Sequence, residues 1–283
     1  MIFETVDLYA YFKIPRSGNC GEGGYLAAYA RTRVNNIAEK SRPAMLVIPG
    51  GGYGHISTRE GEPVALRFLA EGFSAFVLQY SINTAYPVPL LEAGMAVAYI
   101  KENAEKYGVD ENFVAAVGFS AGGHLTGMLA TLFGDEVFGV LGKSARFVRP
   151  DAVIFSYPVI TMRDGLTHEG TRDTISGGGK IDYSKLSIEN NVTKNCPPAF
   201  IWHTNEDNSV AVENSFLIAS AYKKAGVPFA LHIFEKGWHG LSLCTEETNS
   251  GTKEDLSVAH VGVWVNLALD WLAVHGFKLK NIN

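Results

Sequence analysis

The sequence predicts an α/β protein with a mainly parallel central sheet flanked by helices. Three observations carry the prediction. Short apolar runs alternate with longer stretches of helical spacing through most of the chain, the pattern of strands joined by crossover helices. Glycine and proline fall at the junctions. One G-x-S-x-G pentapeptide, Gly118-Phe119-Ser120-Ala121-Gly122, stands where a strand gives way to a helix.

Taken in order, Tyr25 to Arg31 alternates and reads as an antiparallel edge strand. Ala44 to Ile48 is an apolar run stopped by Pro49-Gly50-Gly51-Gly52, a buried strand feeding a tight loop. Glu62 to Glu71 carries Val64, Ala65, Phe68 and Leu69 at helical spacing, and Gly72 closes it. Phe73 to Tyr80 is a strand. Pro87 and Pro89 open a helix with Leu90, Ala93, Val97 and Ile100 on one stripe, ended by Gly108. A strand from Phe113 to Val117, a helix from Ala121 to Leu132 and strands Ala152 to Tyr157 and Ala199 to His203 follow. A helix over Val212 to Ala225, a strand from Phe229 to Glu235 and a final helix from about Val258 complete the pattern. Only Val159 to Pro198 breaks it. That stretch is polar, with few apolar positions, and is expected to add little core and to form a lid or substrate-binding insert. No linker composition or repeat appears, so one domain spans residues 1–283.

Composition excludes several function classes. The 283 residues are 47% hydrophobic, enough for a large core and unlike a disordered chain. The 24 basic and 29 acidic residues are scattered and sum to −5, which argues against nucleic acid or an anionic membrane as partner. Val258 to Val274, the most apolar segment, contains His260, Asn266 and Asp270 and falls short of the roughly 20 residues that span a bilayer. The acidic start Met1 to Asp7 lacks the pattern of an export signal, and Cys20, Cys196 and Cys244 are too dispersed for a disulfide framework or zinc site; a cytoplasmic protein is expected. Asn191-Val192-Thr193 is then a chance acceptor sequence. A homo-oligomer is compatible with all of this.

The pentapeptide points to chemistry. A serine raised on a sharp strand-to-helix turn needs tiny neighbours, which Gly118, Gly122 and Gly123 supply, and the helix N-terminus behind it favours developing negative charge. A strand-to-helix turn with a capping serine is the plainer alternative. A serine hydroxyl becomes a nucleophile only beside a histidine oriented by a carboxylate. Among eight histidines, His239 in Gly237-Trp238-His239-Gly240 is best placed, in a glycine-flanked loop just past a strand. His55, His203, His232, His260 and His275 read as structural; His124 shares a helix face with Ser120 and reads as packing, and His168 lies in the polar insert. Asp207, beyond the strand ending at His203, is the expected acid, with Glu206 its competitor. The amides of Gly51 or Gly52 and of Ala121 are the expected oxyanion donors. The glycine loop is no dinucleotide site, since His55 stands where the fingerprint needs glycine, and Gly177-Gly178-Gly179-Lys180-Ile181 is no phosphate loop. No metal-ligand spacing is present, so neither metal nor cofactor is expected and a metal-dependent deacetylase is disfavoured.

With these residues in place, the chain from about Ala44 to its last helix resembles the α/β-hydrolase superfamily. Pro49-Gly50-Gly51-Gly52-Tyr53 resembles the HGGG-type loop of the hormone-sensitive-lipase-like esterases, and Gly118 to Leu125 resembles their GxSAGG elbow. Pro49 stands where many relatives have histidine, which leaves the brace of that loop open. Ser156-Tyr157-Pro158-Val159-Ile160, Asp207-Asn208-Ser209-Val210 and Gly237-Trp238-His239-Gly240-Leu241 look like the acyl-sugar and acetyl-xylan esterase-like members. The resemblance implies a serine carboxylesterase for short acyl groups, acetyl foremost, on a sugar or oligosaccharide. In it Ser120, Asp207 and His239 form a triad and Gly51, Gly52 and Ala121 the oxyanion hole. Tyr53 in the glycine loop and His168, Arg172 and Tyr183 in the polar insert are the expected substrate contacts. A prolyl-oligopeptidase-like peptidase and a catalytically idle binding protein are the alternatives, opposed by the missing propeller length and by the intact triad.

Overall fold

In the computed structural model, residues 1–16, 21–32, 40–249 and 253–281 are described. Cys20 lies outside them. The apolar run at Ala44 belongs to β3 (Lys40–Ile48), which sits inside the sheet, where both faces are covered and no polar alternation is needed. Its parallel neighbours are β4 (Ser74–Gln79) and β5 (Val109–Phe119), with Leu46 opposite Phe76 on one side and Ala116 on the other. Beyond β5 come β6 (Ala152–Ser156), β7 (Ala199–Thr204) and β8 (Phe229–Phe234), all parallel. Beyond β4 come β2 (Tyr25–Ala30) and β1 (Ile2–Asp7), both antiparallel. The order is β1-β2-β4-β3-β5-β6-β7-β8, and a short β9 (Lys280–Asn281) pairs with the start of β3.

Successive residues of β5 point to opposite faces and divide the core. Val114 and Ala116 face the helices Val88–Glu102, Ala121–Thr131 and Glu213–Ala225; Ala115, Val117 and Phe119 face Glu62–Ala70 and Trp264–Val274. Gly72 and Gly226 follow the helices Glu62–Ala70 and Glu213–Ala225, and Gly108 follows a short helix over Ala104–Tyr107, each with a positive φ at which a side chain would be strained.

Four sequence expectations need correction. Tyr25–Ala30 is antiparallel but not an edge, because the unforeseen β1 pairs along it from Ile2 to Asp7. β5 starts at Val109 rather than Phe113, since the polar Asp110-Glu111-Asn112 lies in a strand that registers irregularly against β3 between Arg42 and Ala44. The final α-helix begins at Trp264, after a 3₁₀ stretch over Lys253–Val263. The stretch from Val159 to Pro198 does contribute core. Val159, Ile160, Met162, Ile175, Leu186 and Ile188 are buried in the larger cluster, and its helices, Glu169–Ile175 and Tyr183–Leu186, are too short to print a period.

Candidate active site

Ser120 occupies the turn between β5 and the helix Ala121–Thr131 with φ 55° and ψ −119°. A non-glycine residue there costs roughly 1–3 kcal/mol, which the surroundings must impose. They do so by close packing. A Cβ on Gly118 would lie 2.1 Å from Thr126 Oγ1, and one on Gly122 would lie 2.2 Å from the Ile48 carbonyl oxygen. The Ser120 amide donates to Ser156 O (3.0 Å), and its carbonyl accepts from His124 and Val159.

Three loops at the carboxyl ends of β5, β7 and β8 bring the expected triad together. Ser120 Oγ is 2.7 Å from His239 Nε2, and His239 Nδ1 is 2.7 Å from Asp207 Oδ2. The carboxylate fixes the ring proton on Nδ1, leaving Nε2 to accept the serine hydroxyl. Asp207 is buried, and burial alone pushes its carboxyl up. Hydrogen bonds from His203 and His239, with a backbone bond from Val210, outweigh that and hold it well below the usual carboxylate range. Four donors meet it: His239 and His203 (3.2 Å) at Oδ2, and the amides of Ser209 and Val210 (2.9 Å each) at Oδ1. Glu206 instead faces solvent and pairs with Lys236 (2.6 Å).

The glycine loop lies over the elbow. A Cβ on Gly50 would come within 2.9 Å of Ser120 Cβ. Gly51 and Gly52 have φ 123° and 63°, so only glycine fits comfortably, and among the described residues neither their amides nor that of Ala121 donates to the protein. Such free amides beside a nucleophile suit a developing oxyanion.

The expected substrate contacts divide. Tyr53 is corrected: it is fully buried, with its hydroxyl 2.9 Å from His124 Nδ1, so it braces the loop from beneath. His124 Nε2 lies 2.8 Å from Leu186 O and must donate there, which makes Nδ1 the acceptor of the Tyr53 hydroxyl. Burial lowers His124 to about 4, consistent with a neutral ring. His168 caps the helix Glu169–Ile175 by accepting the Thr171 amide at Nδ1, and its ring edge is 3.5 Å from where a Gly52 Cβ would stand. Burial, with the nearby His239 second, lowers its pKa. Arg172 pairs with Asp164 (2.5 Å) and lies over the Tyr183 ring; no hydrogen bond or ring contact joins either Arg172 or Tyr183 to the triad among the described residues.

A sequence model of the family described as BD-FAE matches residues 33–222. The chain belongs to the BD-FAE family. Among its curated relatives, endo-1,4-beta-xylanase B of Butyrivibrio fibrisolvens is 42% identical over 74% of this chain and 34% of its own length. An acetylxylan esterase of Xylanibacter ruminicola is 31% identical over 71% of this chain and 42% of its own. This BD-FAE chain thus spans about a third to two-fifths of those proteins. The crystal structure of an acetyl ester-xyloside bifunctional hydrolase from Caldicellulosiruptor lactoaceticus superposes with a TM-score of 0.76 at 37% identity, covering 90% of this chain and 89% of that one. The fold is that of the α/β-hydrolase esterases.

Reading the sequence of this BD-FAE member missed two partners of the site. His203 was expected to be structural, yet it holds the Asp207 carboxylate, and its only signal was lying four residues ahead of it. Glu60 gave no signal beyond being acidic just after the glycine loop, and its carboxylate accepts the Gly50 amide at 2.8 Å.

Proposed function

We propose that the chain is a serine carboxylesterase that removes short acyl groups, acetyl foremost, from sugars or oligosaccharides. The unbroken hydrogen-bonded line from Ser120 through His239 to Asp207 carries the reading. Ser120 Oγ attacks the acyl carbonyl carbon while His239 Nε2 takes its proton, and Asp207 stabilises the imidazolium. The amides of Gly51 or Gly52 and of Ala121 hold the oxyanion. The intermediate collapses as His239 returns the proton to the departing alkoxide, giving the free alcohol and an acyl-serine. Water, deprotonated by His239, then attacks that ester, and the carboxylic acid leaves with Ser120 restored.

The sugar part of the reading is supported by relatives named for acetylxylan and acetyl ester-xyloside hydrolysis. It is also supported by the insert, launched at the same sheet edge as the triad; in open α/β sheets ligands bind at that edge. His168, with Arg172 and Tyr183 behind it, forms the wall we assign to the alcohol. Among the described residues no helix is long and apolar enough to cross a membrane. Cys196 and Cys244 are free buried thiols, compatible with a reducing compartment.

Hydrolysis of p-nitrophenyl esters of increasing acyl length, beside acetylated xylo-oligosaccharides and a peptide amide, tests the assignment. Acetyl esters are expected to turn over fastest and Ser120→Ala to abolish the rate. Full turnover by that variant sinks the reading.

A further inference from the structure

We propose that Glu60 is a positioning residue of this site, its carboxylate tying the oxyanion loop to the tyrosine that flanks the catalytic histidine. The proposal rests on the esterase reading above. Glu60 is 3% exposed and is the last residue of the 3₁₀ turn Thr58–Glu60 that follows the glycine loop. Its two oxygens do separate jobs. Oε2 accepts the Gly50 amide at 2.8 Å, and Oε1 accepts the Tyr157 hydroxyl at 2.7 Å.

Each contact reaches a part of the site that must be placed to a fraction of an ångström. Gly50 packs against Ser120 and directly precedes the free amides of Gly51 and Gly52. Its carbonyl is held from the other side by the Ser57 amide (3.0 Å), and the Pro49 carbonyl by the Tyr80 hydroxyl (2.9 Å). Glu60 therefore holds the amide that directly precedes the free amides of Gly51 and Gly52. Here is the brace left open where Pro49 replaces histidine. Tyr157 has φ 36°, its ring meets His239 edge-on at 5.0 Å, and its hydroxyl accepts the Ser242 amide (3.0 Å) in the loop that carries His239. The Ser242 side chain returns to the Arg59 carbonyl at 2.6 Å, closing a ring of bonds around Glu60. Burial, with Glu60 second, raises the Tyr157 pKa far above its ordinary value, so the phenol keeps its proton and donates it to the carboxylate.

The arrangement asks for two acceptors on one side chain. A glutamine has the same shape but one acceptor oxygen and an NH₂ group: with the NH₂ toward Gly50 a donor faces a donor, and with it toward Tyr157 the phenol can only accept and its own proton loses its acceptor. A buried polar group without its partner forces local rearrangement. Moving the loop displaces oxyanion donors, and losing one such donor outright costs roughly 10² to 10³ in rate.

The test compares Glu60→Gln, Tyr157→Phe and the double variant with the wild type on p-nitrophenyl acetate, with active sites titrated by a serine-reactive phosphonate. A trifluoromethyl ketone, whose adduct puts an oxyanion in the hole, is the second readout. Glu60→Gln is expected to lower kcat per titrated site about 10- to 100-fold with KM within about threefold, and to weaken the ketone in parallel. Tyr157→Phe, which removes one hydroxyl and keeps the core ring, is expected to lose less, and the double variant to lose less than the product of the two. Because the rate is counted per titrated site, a role confined to folding would lower the unfolding midpoint while leaving kcat and ketone affinity alone. That pattern, or values within twofold of wild type for both single variants, overturns the proposal. A wild type inactive on esters, or an active Ser120→Ala, overturns the esterase reading and this proposal with it; an active wild type beside unchanged variants overturns only the role of Glu60.

Discussion

Asp207 and Glu206 are adjacent carboxylates with opposite surroundings, and their contrast makes the sharpest test of the triad. Asp207 is buried under four donors, whereas Glu206 is exposed beside Lys236. Asp207→Asn keeps the shape but loses the fixed tautomer of His239, so kcat is expected to fall up to about 10⁴-fold. Glu206→Gln should stay within about twofold, since an exposed ion pair contributes little; steady-state kinetics on p-nitrophenyl acetate decides between them. A second residue-scale expectation concerns stability. Burial lowers His124 to about 4, while the unfolded chain titrates near the ordinary 6.5. Between those values the unfolded state binds the extra proton, so stability is complete above about pH 6.5 and declines as pH falls toward 4, by an amount on the order of 3 kcal/mol. His168, His232 and His275 are lowered too, but each is only partly buried and adds less. Thermal midpoints from pH 7 to 4.5 should drop less steeply in His124→Gln than in wild type; parallel curves would remove His124 as the cause.

At the scale of elements, the glycines of the elbow are expected to be intolerant for a steric rather than a conformational reason. Gly122 lies in a helix, where alanine normally helps, yet a Cβ there would meet the carbonyl oxygens of Ile48 and Pro49 at 2.2 and 2.3 Å. Gly122→Ala should lower stability by about 1–3 kcal/mol, while Gly139→Ala, with nothing within 4 Å, should stay within about 0.5 kcal/mol. Urea midpoints at constant m-value measure both. The same comparison explains what was legible beforehand. The strands from Ala44 to Phe234 and the triad were readable because buried parallel strands print apolar runs, and because the fold delivers Ser120, Asp207 and His239 to one edge. β1 was not, since its exposed Phe3 and Thr5 alternate with half-buried Ile2, Glu4 and Val6 at a sheet edge and print no apolar run. The core share of residues 159–198 was hidden by turns too short for periodicity, and Tyr53 by a fate that only the third dimension decides: the same loop that offers amides upward sends this ring downward to His124.

On the scale of the whole molecule, His168 is the residue of the insert that stands against the glycine loop, and it tests whether that segment recognises the alcohol. His168→Ala should raise KM for an acetylated xylo-oligosaccharide several-fold more than for p-nitrophenyl acetate, which has no sugar to lose contact with. Equal changes on both substrates would make the insert a scaffold alone. The strand order carries a further consequence, for how the protein comes into being. β3 is central in space but early in the chain, and both its lateral neighbours, β4 and β5, are encoded after it. On the ribosome its apolar run has no strand to pair with until Gln79 emerges, and its second flank stays open until Phe119 does. Ser120 emerges next, yet His239, to which we assign its activation, follows 119 residues later. On that assignment, a chain whose synthesis halts between the two holds a serine no more reactive than any other, so premature termination is expected to yield an inert fragment and never a stray hydrolase.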